Sequence, residues 1–128
     1  MQEKLEQYKS QAEHYLQNAL ITLQQGDAEK AGEFLWGGIA EALKAVAARK
    51  GNLLRNHREI RNFAHTLSVE LEDPSIEMAF IVADRLHSNF YESFLAMEDL
   101  ARDAERIREA VGRLLELLEV PLEGLPRT

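Results

Sequence analysis

The strongest constraint in this chain is periodic. Apolar residues recur at helical spacing almost from end to end, and no segment alternates at period two for long enough to make a strand. The first stripe, Leu5, Tyr8, Ala12, Tyr15, Ala19 and Leu23, predicts a helix from Gln2 to about Gln25. Gly26 stops it and Asp27 caps a second helix, with Ala31, Leu35, Gly38, Ala42 and Val46 in phase, running to about Lys50. Two long helices joined by so short a link must fold back on each other. Gly51 closes the second helix, and Asn56 is placed to cap a third that carries Ile60, Phe63, Ala64, Leu67 and Leu71. Asp73-Pro74 is the usual opening of a helix, and the fourth carries Ile76, Ala79, Phe80, Ala83, Phe90 and Phe94. A fifth begins near Met97, carries Leu100, Ala104, Ile107, Val111, Leu114 and Leu118, and stops at Pro121. The expected fold is all-α, a five-helix up-and-down bundle forming one domain over residues 1–120, with a tail at 121–128.

A chain of 128 residues is long enough to bury one core. It holds no cysteine, which removes disulfides, thiolate nucleophiles and thiolate metal sites. Its apolar runs are far shorter than a membrane span, and residues 1–10 are polar and charged, unlike a secretory leader. A cytoplasmic protein with no membrane partner is expected.

Net charge is −7, which argues against non-specific coating of nucleic acid or anionic membrane. The charge is unevenly placed, however. Between positions 44 and 65, Lys44, Arg49, Lys50, Arg55, Arg58 and Arg61 face only Glu59, so this zone carries +5 and the remainder −12. On helix three, Arg58, Arg61, Asn62 and His65 fall within about 100° of one another, opposite the apolar stripe. A solvated face accounts for many such stripes. Arg49, Lys50 and Arg55 at the adjoining end make an anion site the sharper expectation, because guanidinium groups suit phosphate.

Helix four is apolar on two sides. Ile76, Ala79, Phe80, Ala83, Leu86, Phe90 and Phe94 share one face, while Met78, Ile81 and Val82 point the other way. Such a helix is either central to the bundle or meets a second subunit. His87 sits on the apolar face, where a core histidine bonded to a buried partner such as Asp84 is the expectation. Trp36 and Phe34 read as packing residues rather than a base-stacking platform.

Several common chemistries are missing. There is no GxGxxG or GxxxxGK[ST] loop, no HExxH and no GxSxG. The residues three before the four histidines are Gln11, Leu54, Asn62 and Asp84, so no Glu-x-x-His pair exists for a di-iron site. The single Asp84-x-x-His87 pair does not make a metal site, and neither metal nor cofactor is expected.

Three segments carry a resemblance: residues 32–47 (Gly-Glu-Phe-Leu-Trp-Gly-Gly-Ile-Ala-Glu-Ala-Leu-Lys-Ala-Val-Ala), His57-Arg58-Glu59, and Leu86-His87-Ser88-Asn89-Phe90-Tyr91-Glu92. Their order and spacing resemble the PaREP family of small prokaryotic proteins, which is similar to the HEPN superfamily of helical domains. The resemblance implies a four- or five-helix bundle that dimerises, and a module that binds a nucleotide, RNA or a protein partner. It also implies an alternative, a metal-independent endoribonuclease of toxin–antitoxin type with a nucleotidyltransferase protein partner. A third reading is a structural dimerisation or adaptor protein. The superfamily's active motif is Arg, four to six residues, then His. Arg58 and His65 match that spacing, whereas Arg85 and His87 match its place near the fourth helix. The candidate catalytic residues are therefore Arg58, His65, Arg85 and His87. The candidate ligand-binding residues are Arg49, Lys50, Arg55, Arg61, Asn62, Asn89 and Tyr91.

Overall fold

The structure, a computed structural model, describes residues 2–88 and 97–121. It is all-α: α1 spans Gln2–Gln24, α2 Ala28–Arg49, α3 His57–Leu71, α4 Ser75–Ser88 and α5 Met97–Leu117. Among the described residues there is no strand. The expected continuation of helix four through Phe90 and Phe94 lies outside the described residues, as do Asn89 and Tyr91. No described helix is long and apolar enough to cross a membrane.

The ends of the helices follow from their local chemistry. Asp27 accepts from the Lys30 amide at 3.2 Å, and Asn56 accepts from the Glu59 amide at 3.0 Å, each satisfying a donor that the first turn leaves free. Glu59 in turn accepts from the amide of Arg55, the residue before the cap, at 2.7 Å. Gly26 and Gly51 close α1 and α2 at φ +77° and +83°, a backbone region that a side chain disfavours.

The second helix is the hub. It packs against each of the other four, most extensively against α1. Its buried positions are dominated by small residues, including Ala31, Gly32, Gly38, Ala40, Ala42, Ala45, Ala47 and Ala48, with Leu35, Ile39, Leu43 and Val46 as the large ones. Small residues let helix axes approach closely. At Gly37 the approach is tight enough that a Cβ would lie 2.9 Å from the Tyr15 ring. Phe80, Leu67, Ile76, Leu100, Ile107, Val111 and Leu114 close the core from the other helices.

The fourth helix is therefore not central. Ile76, Ala79, Phe80, Ala83 and Leu86 are buried and Val82 packs against the core, but Met78 and Ile81 are 49% and 39% exposed. Its start is tied to both neighbours. Asp73 accepts from the Ser75 amide at 3.0 Å and meets Arg113 of α5 at 2.8 Å, while the buried Ser68 hydroxyl of α3 accepts from the Glu77 amide at 2.9 Å.

The bonds from Ser75, followed by the Arg113 charge, hold the Asp73 carboxyl below its ordinary value. A lowered folded-state value adds stability above the ordinary carboxylate range and loses it as pH falls through the lowered value. Asp73→Ala is expected to cost about 0.5–2 kcal/mol at neutral pH. Thermal melts of the variant and the native chain should converge in acid below that range.

Candidate functional site

The third and fourth helices run antiparallel, and the bond from Glu77 to Ser68 sets their register. Two imidazole–carboxylate pairs result. His65 Nδ1 lies 2.8 Å from Glu77 Oε2, and His57 Nε2 lies 3.2 Å from Asp84 Oδ1. The two histidines are eight residues apart on α3, about 12 Å along its axis. The two carboxylates are seven apart on α4, two turns along one face. Arg61 stands one turn from His57 and one turn from His65, and Arg58 lies about 20° from the direction of His65. The seam thus carries two imidazoles, His65 hydrogen-bonded to Glu77 and His57 beside Asp84 without an aligned hydrogen bond, with two guanidinium groups between them.

The six cations of the basic zone divide sharply. Lys44 lies 3.2 Å from Glu41. Arg49 donates to the carbonyls of Leu118 and Val120, the latter at 2.7 Å, and so caps the C-terminal end of α5. Lys50, with 7% of its side chain exposed, sits 3.4 Å from Glu70 and over the Phe63 ring. Arg55 pairs with Glu59 at 3.3 Å. Arg58 and Arg61 are exposed and pair with no described residue. Arg55 and Asn62 line an open groove of about 670 Å³ between the α2–α3 connection and α3, together with Leu53, Leu54 and Phe63.

Arg85 and His87 are not brought together. Two positions apart on a helix, they point about 200° from one another. Arg85 is exposed, and its charge acts on Asp103 of α5, whose carboxyl burial pushes above its ordinary value.

His87 departs from the sequence expectation. It is not a core histidine bonded to Asp84. Its side chain is 38% exposed, and its Nδ1 lies 3.5 Å from Glu33 of α2 without hydrogen-bond alignment. Asp84 turns instead toward the start of α3, where His57 is the first helical residue. The imidazole of His87 stacks on Trp36 with centroids 4.5 Å apart and planes 18° apart. His57 also lies near-parallel to Trp36, at 5.8 Å and 4°, and tilted against Phe80 at 5.9 Å.

Sequence reasoning did not assemble this group, because Glu33, Trp36, His57 and Asp84 come from three helices whose crossing it could not place. The signal available was that residues 32–47, 57–59 and 86–92 are the segments that carry the resemblance, and members of all three meet here. Among the described residues, no group of three or more His, Asp or Glu is arranged to hold a metal ion.

An all-α bundle with a histidine- and arginine-bearing seam is the class that these observations define. The family model of the archaeal PaREP1/PaREP8 family matches residues 7–111, and the chain belongs to that family. The crystal structure of a Sulfolobus solfataricus protein is similar in fold, with a TM-score of 0.72 and 22% identity over 84% of this chain and 96% of that one. No curated protein matches the sequence.

The division of the cations separates folding from surface roles. Arg49→Ala leaves two carbonyls at the end of α5 without their donor and should cost about 1–3 kcal/mol, read by thermal melting. Arg58→Ala should change stability by no more than about 0.5 kcal/mol. A Tm unaffected by Arg49→Ala would remove the cap assigned to it.

Proposed function

We propose that this protein is a HEPN-like binding module for phosphate-bearing ligands, RNA foremost, engaged along the α3–α4 seam. The observation that carries the reading is that Arg58 and Arg61 alone among the basic-zone cations are exposed without a partner among the described residues. They stand between two imidazoles, of which Glu77 holds that of His65 by a hydrogen bond. Guanidinium groups donate in pairs to phosphate oxygens, so an unpaired set on one helix face suits a phosphate chain. The acidic remainder of the molecule repels the same ligand and confines it to the seam.

Fluorescence anisotropy with a labelled single-stranded RNA tests this. Arg58→Glu with Arg61→Glu should weaken binding by at least about tenfold and flatten its salt dependence by roughly one to two units of slope, since each phosphate contact contributes about 0.7 for single strands. Affinity and slope both unchanged would show that the seam is a solvated face.

One observation favours a second reading, the metal-independent endoribonuclease. Glu77 orients His65 at 2.8 Å, as a general acid or base needs, with Arg58 and Arg61 beside it for the charge of a phosphate transition state. Cleavage of RNA in the presence of chelator, abolished by His65→Ala in a chain that still binds RNA, would support it. A native chain that binds and never cleaves leaves the binding module.

A second copy of this chain is the partner that α4 suits. Met78 and Ile81 are exposed on α4, and Val69 of α3 is 62% exposed. Light scattering on dilute protein should report more than one chain, and Ile81→Asp should reduce the mass to that of a monomer.

A further inference from the structure

Three buried side-chain polar atoms among the described residues have no hydrogen-bond partner, and all three belong to one cluster: Nε1 of Trp36, Oδ1 of Asp84 and Nδ1 of His87. Native folds leave few such atoms, because each gives up water and gains nothing in return. Three in one place mark a position built for a partner from outside. Asp84 Oδ1 has the His57 ring at 3.2 Å and His87 Nδ1 has Glu33 at 3.5 Å, but neither contact is aligned as a hydrogen bond.

The chemistry of the missing partner can be read from what the atoms lack. The indole N–H needs an acceptor, the carboxylate oxygen needs a donor, and the imidazole nitrogen takes either. The surroundings are flat rings: Trp36, the two imidazoles and Phe80. A planar heterocycle with donors and acceptors on its edge answers both demands. The cluster can be reached from outside, since the side chains of His57 and His87 are each 38% exposed and that of Glu33 is 54% exposed. The ring of His87 already lies on the indole as a base would. With no hydrogen bond holding Nδ1, a base can displace it and exchange one stack for another. Arg61 stands one turn from His57 on α3, so a phosphate attached to that base falls beside the seam.

We propose that Trp36 and Asp84 form a nucleobase site at one end of the seam, covered by the displaceable ring of His87, with guanine preferred; this rests on the reading of the seam as a phosphate-binding surface. Guanine presents two adjacent donors, N1–H and its amino group, to a carboxylate. Adenine and cytosine present one amino group beside an acceptor. Uracil offers a single N–H between two carbonyls, which a carboxylate repels. The expected order is guanine first and uracil last. A base splayed from a single strand shares this chemistry; the site is assigned to the free base, and the test separates the two.

Trp36 is the only tryptophan, so its indole N–H gives a single NMR signal that reports this cluster alone. The full chain is titrated with guanosine, adenosine, cytidine and uridine, which carry no phosphate. Guanosine should shift the indole signal saturably, and uridine should shift it least. Asp84→Asn should weaken guanosine on the order of tenfold, because a charge-assisted acceptor is lost. His87→Ala should tighten it severalfold, because the competing ring is gone, and a merely structural histidine would not do this. Arg58→Glu with Arg61→Glu should erase the advantage of guanosine monophosphate over guanosine. A guanine-containing strand that shifts the signal where the free nucleoside does not would overturn the site as a free-base pocket.

Amide spectra of each variant establish that the bundle is folded. An indole signal that no nucleoside moves, or one moved alike by all four and unaltered by Asp84→Asn, overturns the proposal. An abasic phosphate strand distinguishes the two readings. If it binds and no nucleoside does, the base site falls and the seam stands. If guanosine binds and the abasic strand does not, the base site stands and the seam reading falls.

Discussion

The close burial of α2 is the constraint on which the rest of the molecule depends. A helix that touches four neighbours cannot present large side chains to all of them at native packing density. Alanine and glycine fill most of its buried positions, and four large residues key it into the core. The cost is intrinsic: glycines at 32, 37 and 38 lower helix propensity, and the tertiary contacts offset it. What they permit is specific. The missing side chain of Gly37 leaves room for the Tyr15 ring. Gly32 faces Leu86 of α4 at ordinary contact distance, and the next residue of α4, His87, reaches Trp36.

The seam inherits its geometry from this arrangement. α3 packs more extensively on α4 than on α2, and local bonds fix the register of the two helices over the core they share. The Ser68 hydroxyl fixes the first turn of α4, and from there a two-turn repeat places one carboxylate opposite each histidine. The His65–Glu77 pair lies on the exposed side of the α3–α4 contact and the His57–Asp84 pair at the edge of the core beside Trp36 and Phe80, while Ile60, Phe63, Ala64 and Leu67 face inward.

Helix identity was legible in the sequence because each apolar stripe is continuous and each boundary carries its own chemistry: Asp27 and Asn56 as caps, Gly26 and Gly51 as stops. The exposed stripe of α3 was legible for the same reason, since a helical wheel needs only one helix. Partner choice was not. Asp84 is a suitable i−3 neighbour for His87 by spacing, yet it turns toward His57, which lies 27 positions away in sequence and arrives only once α3 and α4 pack. Arg49 and Lys50 look like surface cations in sequence and are engaged with α5 and with Glu70 in the fold. A charge count over consecutive residues adds cations whose side chains leave the helix in different directions, and only packing decides which remain in solvent.

The Arg49 cap has a topological side. It draws the end of α5 to the end of α2, where Gln2, Leu5, Arg49 and Leu118 line one pocket of about 310 Å³. The first turn of α1 and the exit of α5 therefore lie at a common pole. Chain order at that pole is consequently not something the packing requires: a short bridge could join the two ends, and the chain could be opened afresh at the Gly26-Asp27 turn while every interhelical contact kept its place.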